Sequence, residues 1–210
     1  MNLFKYPKTL HLPWSESLSE GDSYFNTDNF KGKRVVASIK LDGENMTLYP
    51  EYIHARSLEP LGGEEYSWIK NYHSTLEIPE KYRYCGENVN YKHSIEYQNL
   101  ESYFYLFSIW CDTLQHGNYC LSWELTVDLA KKQYIDLVPS FYIGEYNKTL
   151  IHNAYLNYQC KYGEKEGYVI RTTDGYKYES PQIAKYVRAN HVQTTQHWKY
   201  SQKIKNKLEE

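Results

Sequence analysis

Short segments in which apolar positions alternate with polar ones, or run together, recur along the chain between glycine, proline and charged residues. Such segments predict strands. The predicted strands lie at 35–39, 46–49, 53–57, 82–88, 102–110, 134–138, 166–171 and 183–188. The segment 102–110 is nearly all apolar and aromatic, which predicts a strand buried on both faces.

Helical patterns are fewer and lie between these strands. Residues 64–76 carry apolar side chains at helical spacing, residues 150–158 show a shorter helical pattern, and Ser122 is suited to cap a helix that runs to Lys132. Strands and helices interleave without a βαβ rhythm. The pattern therefore predicts an α+β fold with antiparallel sheets.

Composition limits the partners of this fold. The chain has 210 residues, of which 41% are hydrophobic and 24% charged, and its net charge is −2. One well-packed domain is expected, and a site for a polyanion must be local because the whole molecule is not basic. The 24 tyrosines suit half-wet clefts and stacking on bases, although compositional bias explains most of them.

Cysteine usage and the ends of the chain predict a cytoplasmic protein with no membrane contact. The four cysteines form no CxxC pair, residues 1–7 lack the apolar core of a signal peptide, and no apolar run is long enough to span a bilayer. Residues 1–30 are expected to be an irregular lead-in packed on a domain at 31–190. Residues 191–210 form a basic tail, usually the solvated end of a helix, with phosphate contact as the alternative.

Lys40 has an unusual position in the pattern. It ends the first predicted strand and precedes an Asp42-Gly43 turn, which predicts a hairpin. Desolvation at a strand end would lower the pKa of its amine and make the amine nucleophilic. The alternative is an ordinary hairpin with a lysine on its surface.

Other groups extend the chemistry that Lys40 suggests. Carboxylates suit hydrated Mg²⁺ and ribose hydroxyls, cations suit phosphate oxygens, and a flat apolar ring suits a purine. The candidates are Glu87 and Glu166, Arg56 and Lys185, and Phe107. Together they favour the transfer of a nucleotide onto lysine. The sequence contains no GxxxxGK[ST] loop, GxSxG elbow, HExxH pair or zinc-type Cys/His spacing.

Motifs in a fixed order resemble a known superfamily. The segment 40–45, KLDGEN, resembles the KxDGxN form of motif I of the covalent lysine nucleotidyltransferases, which include ATP-dependent DNA ligases, RNA ligases and mRNA-capping guanylyltransferases. Later segments resemble motifs Ia, III, IIIa, IV and V of the ATP-dependent RNA ligase branch: 55–57, 84–88, 104–109, 166–171 and Lys185. The segments 11–15 and 121–123, together with His197, Trp198 and Asn206, are similar to a phage and bacterial RNA ligase-like group.

This resemblance implies a fold and a reaction. The fold would be an ATP-grasp-like ligase adenylation domain of antiparallel sheets flanked by helices. Lys40 would take AMP from ATP, AMP would pass to a 5′-phosphate end, and a 3′-hydroxyl would displace it to seal the strand. ATP and Mg²⁺, with Mn²⁺ as an alternative, would be the cofactors. The partners would be nucleic-acid ends, with RNA favoured, and a separate end-processing kinase or phosphatase; a phage-encoded chain would act in the host cytoplasm.

The resemblance also implies residue roles. Lys40, Glu166 and Lys185 would be catalytic, with Glu166 holding the metal and Lys185 the α-phosphate. The remaining implied contacts are Ile39 and Phe107 to adenine, Glu87 to ribose, Asn45 and Arg56 to nucleotide phosphate, and Arg56 and Arg188 to nucleic acid.

Two positions depart from the motifs. Ser108 stands where motif IIIa usually carries an acid, and Ile183 stands where motif V usually carries a first cation. The loss of that cation would either slow the first step or be compensated by Arg188. The alternatives are a minimal ATP-dependent DNA ligase, disfavoured because too few residues follow motif V for a barrel domain, and a non-catalytic nucleic-acid end-binding protein with the same fold.

Overall fold

A computed structural model of the chain describes residues 2–113, 117–191 and 203–209, and within them two β-sheets pack on each other. The strands are β1 (Leu10–His11), β2 (Arg34–Lys40), β3 (Glu44–Leu48), β4 (Ile53–Ala55), β5 (Tyr82–Asn88), β6 (Phe104–Thr113), β7 (Gly117–Cys120), β8 (Ser140–Glu145), β9 (Gly167–Thr172), β10 (Tyr176–Lys177) and β11 (Ile183–Val187). The helices are α1 (Ser67–His73), α2 (Trp123–Lys132) and α3 (Lys148–Asn157), and 3₁₀ turns lie at Thr27–Phe30 and Glu64–Tyr66. The predicted α+β class is confirmed.

The two sheets divide the strands without regard to their order in the chain. The first sheet has the order β1-β11-β9-β2-β8 and is antiparallel except for the parallel pair of β1 and β11. The second sheet has the order β10-β7-β6-β5-β3-β4 and is antiparallel throughout.

The segment after Lys40 connects the sheets, so the predicted hairpin is wrong. Strand β2 belongs to the first sheet and β3 to the second. The turn between them lies against the chain after β5, because a Cβ atom on Gly43 would stand 2.5 Å from the carbonyl oxygen of Asn88. Only glycine permits that approach.

Strand β6 is buried on both faces along residues 104–111, as predicted. Tyr105 and Trp110 belong to the core cluster between the sheets, whereas Phe104 and Ile109 belong to a second cluster that includes Ile69 of α1 and Ala130 of α2. The second sheet therefore lies between the first sheet and a helical layer.

Two of the three predicted helices are confirmed, and the other ends earlier than predicted. The helix from Trp123 to Lys132 is confirmed, and the Ser122 hydroxyl accepts a hydrogen bond from the Leu125 N–H. The third helix is confirmed at Lys148–Asn157. Helix α1 ends at His73, before the predicted residue 76, because the hydroxyls of Ser74 and Thr75 donate back to carbonyls of its last turn.

The predicted strand at 134–138 is wrong. Tyr134 has a positive φ of 54° and a 93% exposed side chain, so the chain turns there rather than running extended. Leu137 forms an isolated bridge with Leu106, and the strand itself begins at Ser140.

The described parts of the terminal segments, residues 2–30 and 203–209, are packed on the domain by defined contacts. In the lead-in, Leu10–His11 extends the first sheet, and the Trp14 indole N–H donates to the Tyr168 hydroxyl at 2.8 Å. Residues 203–209 form isolated bridges with Tyr91 and Leu100, so the expected helix end is wrong for them. His197, Trp198 and Lys199 of the tail lie outside the described residues.

Two further expectations from the sequence concern the cysteines and a membrane-spanning segment. All four cysteines are free thiols. Among the described residues, no helix has the length and apolar character needed to cross a bilayer.

Candidate active site

Lys40 and Glu166 meet because of the register between β2 and β9. That register pairs Lys40 with Gly167, which places the preceding glutamate beside the lysine. The Lys40 Nζ lies 2.5 Å from Glu166 Oε2, and the two side chains are 26% and 3% exposed. Gly167 permits the arrangement, since a Cβ atom there would overlap the backbone of Tyr186 on β11.

Asp42 and His191 complete a cluster of donor atoms around this ion pair. His191 Nε2 lies 3.6 Å from Glu166 Oε1 and 3.9 Å from Asp42 Oδ1. Ligand atoms of Asp42, Glu166 and His191 lie within 4.8 Å of one another. Two carboxylates and an imidazole form a donor set that fits a divalent cation such as Mg²⁺ or Mn²⁺.

The electrostatics of Lys40 contradict the predicted direction of its pKa. Burial acts to lower the pKa of the amine, but the carboxylates of Glu166, Glu87 and Asp42 together hold it above the usual range. Without a ligand, Lys40 is therefore a stable ammonium ion, and a reaction at its nitrogen must first remove a proton.

Glu87 carries the opposite shift. Its burial, together with the nearby charges of Glu166 and Asp42, raises the pKa of its carboxyl group to about 8, although Lys40 acts to lower it. A carboxyl group with such a pKa is largely protonated at neutral pH and can donate a hydrogen bond.

A cavity of about 230 Å³ opens beside Lys40, between the two sheets. Its wall on the first sheet comes from alternate residues of three strands, because alternate residues share one face. These residues are Ser38, Lys40, Val169, Arg171, Ile183 and Lys185. The second sheet contributes Asn45, Glu87 and Phe107, and the lead-in contributes Tyr6, Pro7, Lys8, Thr9 and Asp22.

Phe107 reaches the cavity from an irregularity in β6. The register pairs Cys85 with Ser108 but Gly86 with Leu106, so Phe107 is the extra residue of a β-bulge. Bulges redirect a side chain beside a site. An Nη of Arg171 donates to the Phe107 carbonyl and so holds the bulge from the opposite sheet.

The buried polar atoms at the cavity that have no hydrogen-bond partner among the described residues include Asn45 Oδ1 and Arg171 Nε. A buried polar atom without a partner is costly. A ligand in the cavity is the natural source of the missing hydrogen bonds.

The cations of the cavity come from separate elements. Arg56, next after β4, and Lys185 of β11 line it as predicted. Burial and the nearby charge of Lys40 hold the pKa of Lys185 below its usual range, against the effect of Asp22. Lys8 lines the same cavity, and its amine donates to the carbonyl of Gly21 at 2.8 Å.

The structure brings seven predicted site residues to the cavity: Ile39, Lys40, Asn45, Arg56, Glu87, Phe107 and Lys185. Glu166 contacts Lys40 directly. Arg188 does not line the cavity. Its guanidinium pairs with Glu164 at 2.7 Å and donates to the Lys165 carbonyl. Arg188 is therefore not placed in the cavity to replace the cation that is missing at Ile183.

Sequence reasoning missed the roles of Asp42, His191 and the lead-in. The sequence pattern marks Asp42 only as a turn residue, although an acid two positions after the candidate nucleophile is a usable signal. His191 follows the last strand in a region with no periodic pattern. The lead-in residues carry no local sign that they face a cavity.

Comparison with known proteins specifies the family to which this fold belongs. A family profile described as RNA ligase matches residues 33–187, well over half of the chain. The chain therefore belongs to the RNA ligase family.

Solved structures of similar fold agree with this assignment. A Naegleria gruberi RNA ligase mutant with ATP and Mn is 18% identical, with a TM-score of 0.52, covering 76% of this chain and 51% of that one. A second mutant of that ligase with ATP and Mn is 17% identical, with a TM-score of 0.54, covering 89% and 60%. A third, with AMP and Mn, is 18% identical with a TM-score of 0.51, covering 76% and 51%.

The chain thus spans about half to three fifths of the length of those structures. At this identity they establish the fold alone. No curated protein sequence matches the chain.

Proposed function

We propose that this chain is an ATP-dependent RNA ligase that works through a covalent lysyl-AMP intermediate. The observation that carries the proposal is the Lys40 amine, 2.5 Å from Glu166 and at the wall of a cavity that also holds Phe107, Arg56 and Lys185. A nucleophile, an aromatic ring and cations around one cavity suit a bound nucleoside triphosphate.

In the first step, Lys40 Nζ forms a bond to the α-phosphorus of ATP while the bond from that phosphorus to pyrophosphate breaks. The ammonium must lose its proton first, and the Glu166 carboxylate is within reach to accept it. Arg56 and Lys185 stabilise the charge that develops on the phosphate oxygens. Phe107 stacks on adenine, while Asn45 and Glu87 bind polar groups of the nucleotide.

Asp42, Glu166 and His191 are the residues that would hold a divalent ion, Mg²⁺ or Mn²⁺. An ion held there would supply positive charge that offsets the carboxylates around Lys40, and so would favour loss of the proton from its amine.

In the second step the Lys40 nitrogen is the leaving group, and in the third step AMP is. A 5′-phosphate oxygen of the nucleic acid displaces Lys40 and takes AMP as a phosphoanhydride. The 3′-hydroxyl of the neighbouring end then attacks that 5′-phosphate, forms the phosphodiester and releases AMP. Membership of the RNA ligase family supports RNA as the substrate.

Incubation with α-labelled ATP and Mg²⁺ tests the proposal. Wild-type protein and a Lys177→Ala control, altered at an exposed lysine of β10, should acquire the label. Lys40→Ala should remain folded and unlabelled, because its amine is the acceptor. If the wild type takes no label at any pH with Mg²⁺ or Mn²⁺, the chain is instead an end-binding protein with this fold.

The labelled protein can then be offered nicked duplexes that differ only in the sugar at the 3′ side of the nick. Faster sealing with ribose supports an RNA ligase. Equal sealing of ribose and deoxyribose ends would contradict the proposed preference for RNA.

A further inference from the structure

Residues 203–209, the C-terminal strap, lie outside the segment matched by the family profile and yet are bound to the body of the domain. Their backbone forms hydrogen bonds with the chain that follows β5: the Lys92 N–H donates to Ile204, the Lys207 N–H donates to Tyr97, and the Leu100 N–H donates to Lys207, at 2.8 to 3.1 Å. The strap is therefore held along the loop between β5 and β6.

Asn206 is the centre of this contact. Its residue is 2% exposed, its Oδ1 accepts from the Tyr97 N–H at 2.8 Å, and its Nδ2 donates to the Val89 carbonyl at 2.7 Å. Its own carbonyl accepts from the Tyr103 hydroxyl at 3.1 Å. One amide side chain thus fixes two points of the loop, because asparagine offers both an acceptor and a donor.

The same loop orients Asp42. The Asp42 N–H donates to the hydroxyl of the fully buried Tyr97 at 2.7 Å. Its Oδ2 accepts from the N–H and hydroxyl of Ser94 and from the Ile95 N–H, at 2.7 to 2.9 Å. These donors hold one oxygen of the carboxylate, while the other lies toward His191 in the cluster around Lys40.

We propose that Asn206 is a positioning residue for adenylylation of Lys40, acting through Tyr97 and Asp42. The inference rests on the proposed function, and it assigns a task to a strap outside the family segment. Asn206 touches neither the cavity nor Lys40. Its effect must pass along a hydrogen-bonded path of two residues, and residues in one such network are energetically coupled.

A double-mutant cycle separates this role from a simple contribution to stability. The rate of lysyl-AMP formation is measured in a single turnover at saturating ATP for wild type, Asn206→Ala, Asp42→Asn and the double variant. We expect Asn206→Ala to lower the rate about tenfold in the wild-type background and less than about twofold when Asp42 is already changed, as for coupled residues. The ATP concentration at half-saturation should change little.

Tyr97→Phe provides a second variant in case Asn206→Ala fails to fold. It removes the hydroxyl that Asp42 uses and leaves the strap in place. We expect a loss of rate like that of Asn206→Ala and the same lack of additivity with Asp42→Asn. Lys205→Ala, an exposed neighbour of Asn206 in the strap, is the matched control and should react like wild type.

Rates for Asn206→Ala and Tyr97→Phe that equal the wild-type rate would overturn the positioning role. So would equal losses in the wild-type and Asp42→Asn backgrounds, since those would mean that Asn206 acts independently of Asp42. Absence of lysyl-AMP in the wild type would overturn the proposed function and this inference together, whereas its presence with an unaffected Asn206→Ala overturns the inference alone.

Discussion

The segment matched by the family profile, residues 33–187, and the segments that flank it contribute differently to the site. The matched segment supplies the groups suited to chemistry, namely Lys40, Glu87 and Glu166. The flanks supply a cavity wall from residues 6–9, the imidazole of His191, and the strap that holds the loop beside Asp42. If the proposed function is right, the matched segment carries the reacting groups, and the flanks position them and complete the cavity around them.

The largest effect should come from Glu166, which lies within the matched segment. Glu166→Ala removes the proton acceptor of Lys40 and a candidate metal ligand, so lysyl-AMP formation should fall about 10²- to 10³-fold. Rapid-quench measurement with labelled ATP gives the rate. Glu164→Ala, which changes an exposed acid two residues earlier that pairs with Arg188, is the control. A wild-type rate in Glu166→Ala would mean that the cluster is not catalytic.

Phe107 should have the next largest effect. Phe107→Leu keeps apolar bulk at the bulge but loses the ring, and stacking on a base contributes about 1–3 kcal/mol, which corresponds to about 5- to 150-fold in ATP affinity. Calorimetric titration with ATP measures the loss. Phe107→Tyr retains the ring and should bind like wild type. Equal affinities in all three proteins would remove the stacking role.

Glu87 tests whether a group of the site lowers the stability of the fold. Its folded pKa of about 8 lies above the ordinary value of 4.5, so the unfolded chain releases this proton first as the pH rises. The fold therefore loses stability between these two values, and the loss is complete above about pH 8. Glu87→Gln removes the penalty.

The gain from Glu87→Gln should be small near pH 5 and on the order of 1–2 kcal/mol near pH 8.5, after allowance for partial exposure to solvent. Urea denaturation of both proteins at the two pH values measures the difference. A gain that is the same at both pH values would show that Glu87 titrates normally in the folded protein.

The smallest effect should come from Lys8, in the flank. It is exposed and lines the cavity, so Lys8→Ala should raise the KM for ATP by no more than about fivefold, as expected for an exposed charge pair. Lys5→Ala, at an exposed lysine of the same lead-in outside the cavity wall, is the control. A change for Lys8→Ala as large as the loss of rate in Glu166→Ala would contradict the proposed difference between the matched segment and the flanks.

Local patterns accounted for much of the fold. The boundaries of β5 and α2 follow from alternation and from the Ser122 cap, which act over a few residues. The strand predicted at 134–138 failed because its apolar residues pack without ladder pairing, and Tyr134 turns the chain in the left-handed region. The hairpin at Lys40 failed because a turn signal does not say which sheet the next strand joins.

The site depended more on contacts between distant residues. Motif order predicted the residues around the cavity, but the contact of Lys40 with Glu166 depends on a register between strands 126 residues apart in the chain. The raised pKa of Lys40 was missed because its carboxylate neighbours come from several elements. Neither His191 nor Asn206 lies in a segment whose own pattern reveals what it contacts.

The central claim is that the Lys40 nitrogen bonds directly to phosphorus. The most direct measurement is peptide mapping by mass spectrometry of the wild-type protein after incubation with ATP and Mg²⁺, under alkaline conditions that preserve a phosphoramidate. We expect one AMP group on the peptide that contains Lys40, and we expect acid treatment to remove that group. AMP on another side chain, such as Lys185, or no adduct in protein that consumes ATP, would contradict it.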